Sequence, residues 1–226
     1  MKTCVISQSN YIPWKGYFQM VAQADVFVFY DNVQFTKRDW RSRNKIMTPR
    51  GPTWLTIPVG SNRNRRIDEV ILPEGEWRDN HIETIRRIYS DTEHIEELKR
   101  ILEPIYEDES ITKLSTFNQT IIRKISEYLN LNTEFINASD LDVEGDRVER
   151  LIGICQAVDA NVYLSGPSAQ NYIGNEFDAI GIELEWMQYG PFEKYNQCGP
   201  VFSHEVSIVD TIAVLGKMTR NQIIKQ

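Results

Sequence analysis

The sequence has few cysteines and no long apolar run, and each shortage excludes a class of protein. Its three cysteines, Cys4, Cys155 and Cys198, are too scattered for a disulfide framework, and no Cys-x-x-Cys spacing indicates zinc. The first residues lack the basic and apolar regions of a signal peptide, and no apolar run reaches the roughly eighteen residues of a membrane span. We therefore expect a cytoplasmic protein with no membrane span.

Histidines and the common catalytic motifs are also scarce. The three histidines, His81, His94 and His204, lie far apart, and only His204, beside Glu205, falls in a predicted loop. The chain contains no GxSxG, HExxH, Walker or GxGxxG motif. Ordinary hydrolase, zinc-protease, P-loop and dinucleotide-binding functions are therefore unsupported, and we predict no metal site.

Charge is the strongest compositional signal. The net charge of −7 argues against nonspecific nucleic-acid binding, which normally requires a basic face. Residues 37–66, however, hold nine basic side chains against Asp39 alone, so this window carries +8 and the rest of the chain −15. This segregation predicts a local site for an anionic small molecule.

The first thirty residues predict a βαβ unit. Residues 2–7 have the pattern of a strand, 17–24 of a short helix, and 26–31 of a strand buried on both faces. Ligands of parallel sheets bind beyond the carboxyl ends of the strands. Residues 8–16 and 31–46 should therefore face one another.

The rest of the chain continues the α/β pattern in one predicted 226-residue domain. The amphipathic stretches between 76 and 131 predict an inserted helical segment. The remaining predicted elements are strands at 53–59, 67–72, 133–137, 161–164 and 182–188, a helix at 146–157 that starts with Asp146 and Glu149, and a last helix from about 207.

Polar and aromatic side chains fill the loop after the first strand. This loop leads into a helix N-terminus, where free backbone N–H groups attract phosphate or carboxylate. An ordinary polar turn, with Trp14 packed on the core, is the alternative. The candidate site residues here are Gln8, Asn10, Tyr11, Trp14 and Lys15.

A second set of candidates follows the strand at 26–31. Guanidinium groups bind phosphate in a bidentate way, and an indole offers a face for a base or sugar, although a solvated cationic loop is the alternative. These candidates are Asp31, Gln34, Lys37, Trp40, Arg41, Arg43 and Asn44. Ser165 and Gly166, after the strand at 161–164, fit a backbone anion cradle or an ordinary turn.

Several of these motifs resemble the WbqC-like family over nearly the whole chain. The runs that carry the resemblance are QSNYIPWKGYF from Gln8, ADVFV from Ala24, DNVQF from Asp31, RNKI from Arg43, WLTIPV from Trp54 and YLSGP from Tyr163. The resemblance implies work on an activated sugar in bacterial O-antigen and lipopolysaccharide biosynthesis. Members often begin with His-Gln-Pro-Asn-Tyr, but Ser7 and Ser9 replace the histidine and first proline here. If that histidine is catalytic in the family, this protein does without it or has changed its task.

The same opening is remotely similar to the nucleotidylyltransferase superfamily, especially pantothenate synthetase. That resemblance implies a Rossmann-like (HUP/nucleotidylyltransferase-like) α/β fold with a mostly parallel sheet. It also implies chemistry that joins an acid to an amine through an acyl-adenylate. The superfamily's His-x-Gly-His motif is missing, because no histidine precedes His81.

The leading functional hypothesis is an amino-acyl or acyl transferase, or a ligase, that forms an amide on a nucleotide-linked amino sugar. Arg41, Arg43 and Lys37 would neutralise phosphate, while Gln8, Asn10 and Lys15 would orient the acyl carboxylate. Asp31 would accept the amine proton, and Tyr11 and Trp40 would stack on a ring. ATP with Mg²⁺ is the candidate activating co-substrate. Nucleotidylyl transfer and a noncatalytic scaffold remain alternatives, and the oligomeric state is open.

Overall fold

The computed structural model describes residues 1–224. Among these residues, no helix is both long enough and apolar enough to cross a bilayer. The strands are β1 (Thr3–Ser7), β2 (Val26–Phe29), β3 (Arg43–Thr48), β4 (Gly51–Thr56), β5 (Glu134–Asn137), β6 (Val162–Ser165) and β7 (Glu183–Trp186). The helices are α1 (Lys15–Gln23), α2 (Trp77–Ile88), α3 (Ile95–Glu107), α4 (Leu114–Tyr128), α5 (Arg147–Ala157), α6 (Ile208–Leu215) and α7 (Thr219–Ile223).

Five parallel strands form the main sheet in the order β5-β2-β1-β6-β7. From β1 the chain builds outward to β2 and β5 on one side, then returns to add β6 and β7 on the other. The order of the strands therefore reverses between β1 and β6. This arrangement is Rossmann-like, and the gap beyond the carboxyl ends of β1 and β6 is where such sheets bind ligands.

Both faces of the sheet are covered, as the apolar run in β2 predicts. Alternate residues of a strand point to opposite faces. Val5 and Phe27 belong to one apolar core, which includes residues of α1, α4 and α6. Cys4 and Val28 belong to a second core, packed against α5. The alternation explains why β2 is buried along its whole length.

The strand predicted at 53–59 lies outside the main sheet. It appears as β4, which pairs antiparallel with β3 in a separate two-stranded sheet. β3 begins within the segment 31–46 that the sequence predicted as loop. Most of β4 is exposed, and Gly51 has a φ of 104°, which favours glycine at this turn. The strand prediction at 67–72 is wrong, because Ile67–Glu69 forms a short 3₁₀ helix and Ile71 makes only an isolated bridge with Lys113.

The predicted helical stretches between 76 and 131 correspond to α2, α3 and α4. Pro104 lies inside α3, and the helix continues past it to Glu107. The start predicted for α5 is also confirmed. The Asp146 carboxylate accepts hydrogen bonds from the N–H groups of Val148 and Glu149, and the Glu149 carboxylate accepts one from the Asp146 N–H.

Candidate functional site

A cleft of about 900 Å³ lies beyond the carboxyl ends of β1 and β6. This volume is at the upper end of the about 300–1,000 Å³ typical of small-molecule sites. Its walls come from the loop after β1, the segment after β2, the N-terminus of α5 and the turn after β6. The residues used below are Gln8, Asn10, Trp14, Tyr30, Gln34, Trp40, Arg41, Arg147, Arg150, Ser165, Gly166, Tyr172 and Tyr189.

The two segments that the sequence predicted to face one another do meet. The Tyr11 N–H donates to the Trp40 carbonyl at 2.8 Å. The side-chain amide of Asn44 donates to the carbonyls of Tyr11 and Ile12, at 3.1 and 2.9 Å. Asn118 of α4 donates to the Arg41 carbonyl at 2.8 Å. These bonds hold the first loop and the basic segment in one wall.

Three guanidinium groups line the cleft. Arg41 is paired with Asp39 at 3.0 Å. Arg147 and Arg150, on the first turns of α5, make no ion pair among residues 1–224. Because neither charge is neutralised by a carboxylate, the pair is free to bind an anion.

Aromatic rings hold these guanidinium groups in place. The central carbon of the Arg147 guanidinium is 3.3 Å from the Tyr172 ring centroid, and that of Arg150 is 5.1 Å from the Tyr30 centroid. Burial raises the pKa of Tyr30, and the nearby guanidinium groups partly oppose this shift. Stacked guanidinium groups keep their N–H edges available for phosphate or carboxylate.

Most of the predicted site residues lie at this cleft. The loop after β1 provides Gln8, Asn10 and Trp14. The segment after β2 provides Gln34, Trp40 and Arg41, and the end of β6 provides Ser165 and Gly166. The structure thus brings these eight side chains or backbone groups together, while their roles stay predictions.

Tyr11 is placed elsewhere, in the core. It is fully buried, and its hydroxyl lies 2.8 Å from His81 Nδ1 and within hydrogen-bonding distance of the Tyr106 hydroxyl. Burial lowers the pKa of His81 to about 4, so the imidazole is neutral at pH 7. Tyr11 therefore links the first loop to α2 and α3 and offers no face to the cleft.

Lys15 is also enclosed. Its Nζ has no hydrogen-bond partner among residues 1–224 and lies 4.9, 5.0 and 5.9 Å from the ring centroids of Phe192, Tyr195 and Phe202. Burial lowers the pKa of Lys15 to about 8, and the Asp210 carboxylate partly opposes the shift. The ammonium is directed away from the cleft.

The three rings around Lys15 belong to residues 188–206, which contain no helix or strand and are called the strap below. Asp210 of α6 holds the strap by accepting hydrogen bonds from Tyr195 at 2.6 Å and Gln197 at 2.7 Å. Tyr89 of α2 donates to the same carboxylate at 3.1 Å. Burial raises the pKa of Asp210, and these three donors oppose the shift.

Three predicted site residues of the basic segment do not line the cleft. Arg43 stacks on Trp54, with its guanidinium carbon 4.1 Å from the ring centroid. The Asn44 amide group is fully engaged, because its oxygen accepts from the Lys45 N–H at 2.8 Å while its nitrogen binds backbone carbonyls. Lys37 is exposed outside the cleft.

Asp31 lies beside the cleft but is not part of its wall. Its carboxylate accepts hydrogen bonds from the Ser9 N–H at 2.8 Å and from Gln119 at 2.9 Å. Burial raises the pKa of Asp31, and the bonds from Gln119 and Ser9 oppose this. It lines a separate pocket of about 210 Å³ that includes Lys113 and Asn137. Its proposed role as a base remains a prediction.

Sequence reasoning missed Arg147, Arg150, Tyr30 and Tyr172. A signal for the arginines was available, because both follow Asp146 at the predicted start of α5. That helix begins after β5, so its N-terminus lies at the carboxyl edge of a parallel sheet, where ligands bind. Nothing in the local sequence indicated that Tyr172 would stack on Arg147.

Among residues 1–224, no group of three or more His, Cys, Asp or Glu side chains is arranged to hold a metal ion. The groups available to a cofactor or substrate in the cleft are the guanidinium groups, the aromatic rings and the side-chain amides. Fold and site together define a Rossmann-like α/β protein with a basic, aromatic cleft at the point where its strand order reverses.

The chain belongs to the WbqC-like protein family, which residues 8–222 match. It is 38% identical over 219 residues to Uncharacterized protein Rv1507c from Mycobacterium tuberculosis (strain ATCC 25618 / H37Rv), a match that covers 96% of this chain and 95% of that protein. No solved structure matches the chain.

Proposed function

We propose that this protein is an enzyme of bacterial surface-polysaccharide biosynthesis that binds a nucleotide-linked amino sugar in the cleft and forms an amide on its amino group. One observation carries the proposal: Arg41, Arg147 and Arg150 share a single cleft with the rings of Tyr30, Tyr172 and Trp40. Guanidinium groups bind the phosphates of such a substrate, and aromatic faces bind its base or sugar.

The electrostatics of the cleft favour a phosphate-bearing ligand over a neutral one. Arg147 and Arg150 are one helical turn apart, so their guanidinium groups face the same side of α5. A diphosphate placed there would accept charge-assisted hydrogen bonds, each contributing about 1.5–3 kcal/mol.

The proposed reaction has two balanced steps. An acid's carboxylate oxygen attacks the α-phosphorus of ATP, which releases pyrophosphate and forms an acyl-adenylate. The sugar amine then attacks the acyl carbon, so that AMP leaves, a proton is lost and the amide forms. Gln8, Asn10 and Arg41 line the cleft and would orient these groups. Holding both substrates in one cleft would favour the reaction between them.

The fold supports amide formation, whereas the position of Asp31 supports a noncatalytic role. The parallel sheet is compatible with kinship to the HUP and nucleotidylyltransferase folds, and acid-to-amine chemistry in that superfamily supports the proposal. A noncatalytic binding protein is the second candidate, because Asp31, the candidate base, does not line the cleft. Turnover separates these functions, and binding alone does not.

Binding is tested first, by calorimetric titration with UDP, dTDP and a dTDP-linked amino sugar. We expect Arg147→Ala with Arg150→Ala to weaken binding about 100-fold, equivalent to about 2.7 kcal/mol. Arg87→Ala is the matched control, because Arg87 is exposed on α2 outside the cleft. Equal binding by the double variant and the wild type would remove the basis of the proposal.

Turnover is tested with ATP, Mg²⁺, a panel of amino acids and a dTDP-linked amino sugar, with products identified by mass spectrometry. Amide formation should be matched by equal amounts of AMP and pyrophosphate. Pyrophosphate release from a nucleoside triphosphate and a sugar phosphate would instead identify nucleotidylyl transfer. Binding without any product across the panel would favour the noncatalytic candidate.

A further inference from the structure

A second, smaller pocket of about 340 Å³ adjoins the cleft and is called the side pocket below. Its lining is Asn10, Pro13, Trp14, Trp40, Asn44 and Glu205. Three of these residues, Asn10, Trp14 and Trp40, also line the cleft. A ligand in the side pocket would therefore have one end next to a ligand in the cleft.

Within the described part of the chain, Glu205 is the only charged side chain that lines the side pocket. Glu205 is exposed at the rim, and its carboxylate makes no ion pair within the described part of the chain. The Asn44 amide is already used by backbone groups.

No cationic side chain lines this pocket. Arg43 and Lys45 approach the Trp54 ring instead, at 4.1 and 5.2 Å, and Lys15 is enclosed by the strap. The walls also present the two indoles of Trp14 and Trp40, whose faces attract cations. The side pocket therefore favours a cationic group, whereas the arginines of the cleft favour an anionic one.

We infer that the side pocket binds the ammonium end of a small amino acid, which is then the acyl donor of the reaction. This assignment of the donor's role rests on the proposed function. The Glu205 carboxylate accepts hydrogen bonds from the ammonium, and the indoles of Trp14 and Trp40 attract the cation and cover the side chain. The carboxylate then extends toward the cleft, where Arg41 and the activating nucleotide meet it.

The chemistry of the pocket discriminates between donor classes. A fatty or hydroxy acid of similar size has no cation to offer the Glu205 carboxylate or the indole faces, so it would forgo these contacts. The volume of about 340 Å³ accommodates more than glycine and leaves room for a branched or aromatic side chain between the indoles. The donor is accordingly an amino acid and not a simple acyl group.

The test measures binding by ligand-observed NMR and calorimetry, with the wild-type protein at saturating dTDP. Glycine, leucine and phenylalanine are compared with acetate, 4-methylpentanoate and 3-phenylpropionate, which lack only the amine. At least one amino acid should bind tenfold more tightly than its amine-free partner. Glu205→Gln should reduce that affinity about tenfold and leave dTDP affinity unchanged.

Glu193→Gln is the matched control, because Glu193 is an exposed carboxylate of the same strap that does not line the side pocket. It should leave both affinities unchanged. Equal binding of the amine-free acids, or no effect of Glu205→Gln, would overturn the inference. If dTDP fails to bind while a Glu205-dependent amino acid still binds, the proposed function fails and the ammonium site stands.

Discussion

Arg147 in the cleft and Lys15 under the strap are both cations beside aromatic rings, but they differ in how accessible their charged groups are to a ligand. Arg147 stacks on Tyr172 at the wall of a large cavity, so its N–H edges can reach a ligand. Lys15 is 1% exposed, and three rings close around its ammonium. A cation beside aromatic rings is therefore accessible to a ligand in one region and enclosed in the protein interior in the other.

This difference explains why charge and sequence position together do not identify a ligand-binding residue. Lys15 lies in the specific N-terminal motif and directly follows Trp14, which lines the cleft. As the first residue of α1, it points its side chain toward α6 and the strap. Four substitutions test the difference between the cleft and the buried region, which consists of Lys15, Asp210 and the strap. They are ordered from the largest expected effect to the smallest.

Asp210→Ala should have the largest effect, through loss of the buried region's carboxylate. The substitution leaves three hydrogen-bond donors, on Tyr89, Tyr195 and Gln197, without their acceptor. It also removes the carboxylate that stabilises the charge of Lys15. We expect the free energy of unfolding to fall by about 3–5 kcal/mol. Urea denaturation checks this, with Asp142→Ala at an exposed position as control. A loss below about 1 kcal/mol would contradict the role of Asp210 in holding the strap.

Lys15→Met should change the pH dependence of stability. In the folded protein the pKa of Lys15 is about 8, whereas an unfolded lysine titrates near about 10.4. Between these values the unfolded state binds more protons, so Lys15 makes stability rise as pH increases from 8 to 10. The difference in unfolding free energy between the wild type and the variant should shift by about 1–2 kcal/mol over this range. A constant difference would show that the ammonium is solvated.

Gly16→Ala should disturb the cleft and the side pocket through Trp14. A Cβ on residue 16 would lie 2.2 Å from an atom of the Trp14 indole, so the ring must move. Because Trp14 lines both the cleft and the side pocket, we expect ligand affinity to fall about tenfold. Calorimetry and tryptophan fluorescence measure the two effects. Unchanged fluorescence and affinity would mean that the indole accommodates the methyl group without moving.

Arg43→Ala should have the smallest effect and contrasts with the arginine pair of α5. Its guanidinium lies over Trp54, outside the cleft, and an exposed cation–π contact contributes about 0.5–1 kcal/mol to stability. We expect a loss of this size in thermal unfolding and less than about a twofold change in nucleotide affinity. A large loss of affinity would instead restore the phosphate-binding role that the sequence predicted for Arg43.

The strands of the main sheet and the start of α5 could be predicted from the sequence, because each depends on a short local pattern of residues. The apolar run in β2 and the Asp146–Glu149 spacing each reflect one strand or one helix start. The β3–β4 hairpin was missed in part because β3 lies in a strongly basic, polar segment. Its pairing depends on β4, and β4 has only two buried residues.

The sequence could predict those site residues whose position is determined by the carboxyl end of a strand. Gln8, Gln34 and Ser165 lie at or after the carboxyl ends of parallel strands, so their common location follows from the sheet. The direction of Tyr11 and Lys15 depends on distant partners, Tyr106 and Asp210, which lie far away in sequence. The stacking of Arg147 on Tyr172 depends on the tertiary fold in the same way.

The strap contributes a residue to the wall of the cleft and another to the wall of the side pocket. Tyr189, near its beginning, lines the cleft, while Glu205, near its end, lines the side pocket. Between them, Tyr195 and Gln197 are tied to Asp210. The hydrogen bonds to Asp210 therefore stabilise a segment that contributes to the walls of both pockets, so loss of the Asp210 carboxylate should alter the shape of both.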